Sequence, residues 1–351
     1  MNAEDQDARW MKLAIELAGK GLGLASPNPC VGAVIVHKDQ IIGSGFHEKA
    51  GLPHAERNAI ADGMAKGNAR LFSDSTLYVT LEPCSTTGKT PPCTEAIIEH
   101  RFKRVVYGSE DPNPRHRGIA AEILRNAGIE VARGILKKEC DFLIRSFRLN
   151  MMKGRPWVIA KSAMSLDGHI SRSPERSQWL TGKAARSFVH TLRSECDAVM
   201  TGGNTVRQDN PALTIRNPKT PVSPLKEQPW RIILTRNAAA IPDNSICLMD
   251  EFRDRTLIVE NVSNYLELLQ NLYSERKIGT ILLESGGILM KEFLKAELVD
   301  EWVGFYAPVI TGGGAEGVKG GAFLEREAYL SEPSVRIFGS DVCIRGDVHY
   351  H

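Results

Sequence analysis

Pro53-His54-Ala55-Glu56, Pro83-Cys84 and Pro92-Cys93 constrain this chain more than any other feature, because three separate segments must converge before their side chains can act together. One neutral imidazole and two thiolates balance the charge of Zn²⁺. Three protein ligands would leave a fourth tetrahedral position for a water, which zinc acidifies from a pKa of about 15.7 toward about 7. Glu56 would then handle the protons. The prolines add a local prediction: His54 stands at the start of a helix, and Pro91-Pro92 place Cys93 at the start of another. A helix N-terminus favours thiolate over thiol. The alternatives are a structural zinc knuckle, or two buried thiols beside a surface histidine. A structural site normally closes with a fourth Cys or His, and none is adjacent.

His-x-Glu followed by Pro-Cys-x-x-Cys is the pattern of zinc deaminases, in which a carboxylate relays a proton to departing ammonia. Here the stretch Ser85 to Pro92 separates the two cysteines, far more than the usual two residues.

A length of 351 residues predicts roughly two domains, and 42% apolar with 25% charged residues is ordinary for a globular chain. The net charge of +2 offers no basic footprint for nucleic acid, so a small substrate is expected. Seven scattered cysteines argue against a disulfide framework and for a reducing compartment. The acidic start Met1-Asn2-Ala3-Glu4-Asp5 has no apolar leader region, and no stretch reaches membrane-spanning length, so a cytoplasmic protein is expected.

The first half alternates in an α/β manner: a helix over Asp7 to Lys20, a hairpin of Gly32 to His37 with Ile41 to Phe46, the helix from His54, and a strand Thr76 to Thr80. The helix from Cys93, a strand Arg104 to Tyr107, a helix Ile119 to Ala127 and a helical stretch Lys137 to Asn150 follow. Lys153-Gly154-Arg155-Pro156 reads as the join, giving domains 1–150 and 151–351. In the second half, strands are predicted at Trp157 to Ala163, Ala198 to Thr201, Arg231 to Leu234, Thr256 to Val259 and Thr280 to Leu283. Helices are predicted at Gly182 to Arg193 and Ile288 to Leu294, with an exposed loop over Asn217 to Pro229. Gly286-Gly287 follows a strand and opens a helix, so its backbone N–H groups could hold a phosphate, although a tight turn accounts for it equally well. No G-x-G-x-x-G run stands between a predicted strand and a predicted helix, so the dinucleotide-binding fingerprint is not supported.

These residues resemble the bifunctional riboflavin-biosynthesis deaminase-reductase family, RibD. The match rests on Pro27-Asn28-Pro29-Cys30, Pro53-His54-Ala55-Glu56, Leu81-Glu82-Pro83-Cys84, Gly88-Lys89-Thr90-Pro91-Pro92-Cys93 and Asp111-Pro112-Asn113-Pro114. In the second half it rests on Lys161-Ser162-Ala163-Met164-Ser165-Leu166-Asp167-Gly168, Ser177-Gln178-Trp179, Asp209-Asn210-Pro211-Ala212-Leu213-Thr214 and Glu284-Ser285-Gly286-Gly287. The resemblance implies an α/β chain: a cytidine-deaminase-like three-layer domain followed by a dihydrofolate-reductase-like domain. It implies zinc-dependent deamination of a phosphorylated diaminopyrimidinone ribosylamine, then NADPH-dependent reduction of the ribosyl chain to ribityl.

By the same resemblance Glu56 is catalytic, and His54, Cys84 and Cys93 hold zinc. Asn28, His47 and Lys89 fall at substrate positions of the first domain, and Lys161, Ser177, Arg193, Asp209, Leu213, Arg216 and Glu284 at those of the second. Ala163, Trp179, Thr205, Gly286, Gly287, Ile288, Leu289, Met290, Lys291 and Glu292 fall at NADPH positions. A homo-oligomer through the reductase domain is also implied. Plainer roles compete at several of these: a turn for Asn28, solvated charges for Lys89, Arg193 and Arg216, core packing for Trp179.

Two places depart from the family's pattern. Ser85-Thr86-Thr87 stands where a histidine follows the serine, and Thr235-Arg236 lacks an aspartate. A deaminase of another pyrimidine or a pterin-like base, and a zinc-stabilised binding protein without turnover, therefore stay open as readings of the sequence. The end Gly346 to His351 is expected to be an exposed tail without a metal.

Overall fold

The computed structural model describes residues 3–86, 91–114, 116–172, 179–216, 223–318 and 324–351. The chain divides into two compact units, Met1–Gly154 and Arg155–His351.

The first unit runs α1 (Ala3–Gly19), β1 (Gly32–His37), β2 (Gln40–Phe46), α2 (Ala55–Ala65), β3 (Thr76–Leu81), α3 (Cys93–Glu99), β4 (Arg104–Ser109), α4 (Ile119–Asn126), β5 (Glu130–Arg133), α5 (Lys137–Leu143) and α6 (Arg145–Lys153). The sheet order is β2-β1-β3-β4-β5, antiparallel from β2 to β3 and parallel from β3 to β5. Alternation along β1 sets the layers. Ala33 and Ile35 face a core with Ala59 of α2, Ile97 of α3 and Leu124 of α4, whereas Val34 and Val36 face Trp10, Met11 and Ala14 of α1 and Cys140 of α5. Gly32 permits the approach of α1, since a Cβ there would lie 2.1 Å from the Ala14 carbonyl oxygen. Gly45 does the same for α2, where a Cβ would lie 2.6 Å from the Ala59 nitrogen. Without those two hydrogens neither helix could sit as it does.

The second unit runs β6 (Trp157–Ser165), α7 (Lys183–Glu195), β7 (Ala198–Gly202), α8 (Gly203–Asp209), β8 (Trp230–Thr235), α9 (Ile246–Met249), β9 (Thr256–Glu260), α10 (Tyr265–Arg276), β10 (Thr280–Glu284), α11 (Gly287–Lys295), β11 (Glu301–Ala307), β12 (Ala328–Phe338) and β13 (Asp341–Tyr350). Its sheet order is β12-β13-β11-β6-β10-β7-β8-β9, with β11 to β9 parallel and β13 and β12 added antiparallel. Leu269 and Leu272 of α10 and Met290, Phe293 and Leu294 of α11 share a core with Val158, Met200, Ile232 and Leu283. On α7, Phe188 packs on Phe305 and Phe338, with ring centroids 6.3 and 4.7 Å away. Trp230 at the start of β8 lies under the guanidinium groups of both Arg255 and Arg276, 4.9 and 4.7 Å from its ring centre.

Several expectations need correction. The stretch from Lys137 is two helices, broken at Ile144. β5, β11, β12, β13, α8 and α10 have no counterpart in the sequence reading. The expected tail Gly346 to His351 instead lies almost wholly in β13, where His349 pairs with Tyr329 of β12. Part of the expected loop Asn217 to Pro229 lies outside the described residues.

Candidate functional site

In the first unit, His54 is the residue before α2 and Cys93 the first residue of α3, while Cys84 follows β3. Their ligand atoms lie within 4.8 Å of one another. His54 Nδ1 is 3.4 Å from the Sγ of each cysteine. Tetrahedral zinc, with Zn–S of about 2.3 Å and Zn–N of about 2.0–2.1 Å, calls for an N···S separation of about 3.5 Å. The donor set and its spacing therefore fit zinc.

The backbone fixes this convergence. The Cys93 N–H donates to Cys84 Sγ (3.2 Å) and the Thr94 N–H to the Cys84 carbonyl (3.2 Å). Arg57, in the first turn of α2, donates to the carbonyls of Pro91 (3.2 Å) and Pro92 (3.1 Å), and so ties one ligand-bearing helix to the entrance of the other. Buried Glu82 accepts from the N–H groups of Asp111 (3.2 Å), Gly118 (3.0 Å) and Ala120 (3.2 Å), anchoring the 111–120 segment beside Pro83-Cys84. Neither Arg57 nor Glu82 was singled out from sequence, although Glu82 stands within the quoted Leu-Glu-Pro-Cys run.

Glu56, in the first turn of α2, is 3% exposed. Burial first, then the Cys84 sulfur, pushes its carboxyl up to about 7. A hydrogen bond from Cys93, with help from His54, holds Cys84 down to about 4, and the same shared proton pushes Cys93 up. His47 Nδ1 lies 3.1 Å from the Pro53 carbonyl and must donate to it, which leaves Nε2 to accept from Asn28 Nδ2 at 3.0 Å. Burial lowers the pKa of His47, so the ring is neutral in that tautomer. Its ring centre is 5.3 Å from that of His54. The structure thus brings Asn28, His47, His54, Glu56, Cys84 and Cys93 together. Lys89 and Thr87 lie outside the described residues. Thr86 is exposed, and its hydroxyl is 3.3 Å from His116 Nδ1.

The second unit has a cavity of about 1000 Å³ across the C-terminal ends of four adjacent parallel strands, β10, β7, β8 and β9. Open α/β sheets bind ligands in that position. Of the residues expected to meet NADPH, Thr205, Gly286, Gly287, Ile288, Leu289 and Glu292 line it, as do Thr235 and Arg236. Ala163, Trp179, Met290 and Lys291 are not among the lining residues. Met290 is turned by the helical period into the core at 0% exposure, whereas Trp179 is 61% exposed and so is not core. Sequence reasoning missed Gly202 to Asn204, Asn237 and Asn261 to Ser263, although they lie at or just beyond the ends of strands whose apolar runs were legible.

Lys161, midway along β6, and Glu284, the last residue of β10, stand in register as direct neighbours, with Nζ 4.0 Å from Oε2. Arg193 donates to both Glu284 oxygens (2.6 and 3.1 Å) and to the Thr214 carbonyl (2.9 Å), so its fork is engaged inside the protein instead of standing open to a phosphate. Burial pushes Glu284 up, but Arg193 and Lys161 outweigh it and its pKa falls; burial lowers that of Lys161 against the pull of Glu284. Leu213 is 2% exposed with φ of 54°, Asp209 closes α8, and Arg216 is exposed. Ser177 lies outside the described residues.

The model of the cytidine and deoxycytidylate deaminase zinc-binding region matches residues 4–109, and that of the RibD C-terminal domain matches residues 156–344. The riboflavin biosynthesis protein RibD of Synechocystis is 40% identical over 88% of this chain and 86% of its own; that of Aquifex aeolicus is 38% identical over 96% and 97%. Among solved structures, Acinetobacter baumannii RibD superimposes with a TM-score of 0.86 at 36% identity, covering 99% of this chain and 100% of that one. A diaminohydroxyphosphoribosylaminopyrimidine deaminase/5-amino-6-(5-phosphoribosylamino)uracil reductase from Thermotoga maritima gives 0.86 at 35% identity, covering all of both chains.

Proposed function

Because this chain belongs to the RibD family of riboflavin-biosynthesis enzymes, which join a zinc deaminase to an NADPH-dependent reductase, we propose how its own residues divide the two reactions. The first unit removes the 2-amino group of the phosphorylated diaminopyrimidinone ribosylamine, and the second reduces the ribosyl chain of the product to ribityl. The observation that carries this reading is the meeting of three zinc-type donors with a buried carboxyl that is not one of them.

Held by His54, Cys84 and Cys93, zinc supplies Lewis acidity and lowers the pKa of water. Glu56, buried beside these ligands and not one of them, takes a proton from the water and later delivers one to the departing amine. His47 and Asn28, fixed by their mutual hydrogen bond, orient the pyrimidine, and Lys89 meets its anionic end. In the second unit NADPH supplies the hydride. The N–H groups at Gly286 and Gly287, opening α11, hold a cofactor phosphate, and Thr205, Ile288, Leu289 and Glu292 line the same cavity. Lys161, Glu284 and Arg193 form a fixed charged floor that positions the sugar, with Asp209 contributed by the end of α8 and Leu213 and Arg216 by the loop after it. No helix among the described residues is long and apolar enough to cross a membrane. None of the seven cysteines is paired in a disulfide, and we extend to this chain a cytoplasmic setting and a homo-oligomer through its second unit.

Purified protein given zinc, the diaminopyrimidinone ribosylamine phosphate and NADPH should release ammonia first and oxidise NADPH afterwards. Ammonia without NADPH oxidation would remove the second half of the proposal, and silence in both would leave a binding protein.

A further inference from the structure

His190 lies in α7, one turn before Arg193, and its ring meets residues 214–216, which belong to no helix or strand. A single atom, Nδ1, is within hydrogen-bonding distance of two groups that demand opposite things of it. The Arg216 backbone N–H points at Nδ1 over 3.1 Å and needs a lone pair there. The Thr214 carbonyl oxygen, 3.2 Å from the same atom, needs a proton there. Only one can be served at a time. Thr214 O already accepts from Arg193 Nη1 at 2.9 Å, so a lone pair on Nδ1 leaves neither backbone group without a partner. Gln228 also holds this stretch: it accepts from the Ile215 N–H (2.7 Å) and donates to the Ile215 carbonyl (3.3 Å).

We propose that His190 is a positioning residue for the reductase substrate: as a neutral ring it accepts from the Arg216 N–H and so fixes the turn that presents the Arg216 side chain to the sugar phosphate. The inference rests on the reading of Arg216 as a substrate residue given above. Protonation would put a donor against a donor, transfer the ring to Thr214 O and release Arg216. The groups facing the ring are Arg193 on its own helix, Arg216 on the loop and Glu284 on β10. Burial, then Arg193 and Arg216, lower the pKa of His190, against a smaller upward pull from Thr214 O and Glu284. The ring is therefore neutral throughout the neutral range, and Arg216 is released only as pH falls below the ordinary imidazole value of 6.5.

The test is the pH profile of KM and kcat for reduction of 5-amino-6-(5-phosphoribosylamino)uracil by the full chain. For the wild type, KM should be flat near neutrality and rise toward acid pH, with kcat changing less. His190→Ala should raise KM about twofold to tenfold at pH 7.5, the range of one backbone hydrogen bond. His190→Asn places an amide oxygen near the position of Nδ1, accepts at every pH, and should restore the neutral KM while flattening the acid rise. The substrate's own phosphate titrates identically for all variants, so the difference between profiles isolates the ring. NADPH affinity and melting temperature, unchanged in His190→Asn, show that the fold is kept. A His190→Asn profile that tracks the wild type at acid pH would overturn the proposal even if Arg216→Ala raises KM. An Arg216→Ala enzyme with unaltered KM would instead remove the substrate reading of Arg216, and this inference with it.

Discussion

Glu56 shows how one side chain is prepared by its surroundings. Its place in the first turn of α2 follows from Pro53 and His54, and burial raises the pKa of its carboxyl above the ordinary glutamate value. Exchanging it for an amide of the same shape removes the proton transfer and leaves His54, Cys84 and Cys93 untouched. Glu56→Gln is therefore expected to retain stoichiometric zinc by metal analysis while ammonia release falls by at least about 10²-fold. Turnover within a few-fold of the wild type would take Glu56 out of the mechanism. At this scale the sequence was informative wherever chemistry forces a residue type, as for the metal ligands and Glu56. It was silent on Arg57 and His190, which act on backbone atoms, because nothing in a residue's identity announces which carbonyl or N–H it will meet.

Among the elements, the 111–120 segment depends on Glu82 more than on its own composition. Three N–H groups converge on one buried carboxylate at the approach to α4. Glu82→Ala would strand all three, and urea unfolding of the first unit should show a loss of about 3 kcal/mol or more. A loss within about 0.5 kcal/mol would mean that water or a shifted loop replaces the carboxylate.

Helices and strands with a clear period or cap were legible: β1 and β2, with the two-residue turn at Lys38 and Asp39 in positive φ, and the helices opening at His54 and Cys93. β12 and β13 were not. Their burial scarcely alternates, β12 contains Pro333, and its register slips between Ser331 and Ser334, so the pattern that marks a half-buried strand is absent from the sequence. The cavity was legible only in part, since the start of α8 and the loops after β8 and β9 have a composition that marks no ligand.

For the whole molecule, the join falls at Gly154, which ends α6 in a left-handed conformation before β6 begins. Each unit has a sheet covered by its own helices and a core of its own. Separately expressed residues 1–154 should release ammonia without NADPH, and residues 155–351 should oxidise NADPH when given the deaminated product. Loss of either activity on separation, with the isolated piece still showing a cooperative thermal transition, would mean that the partner unit contributes to that site.

Of the five tryptophans, only Trp10 belongs to the first unit, where it is 3% exposed, and the other four, including Trp230 beneath its two guanidinium groups, belong to the second. Indole emission from a Trp10→Phe protein would thus arise wholly from residues 155–351. One conservative exchange turns intrinsic fluorescence into a reporter that follows the melting of one half inside the intact polypeptide.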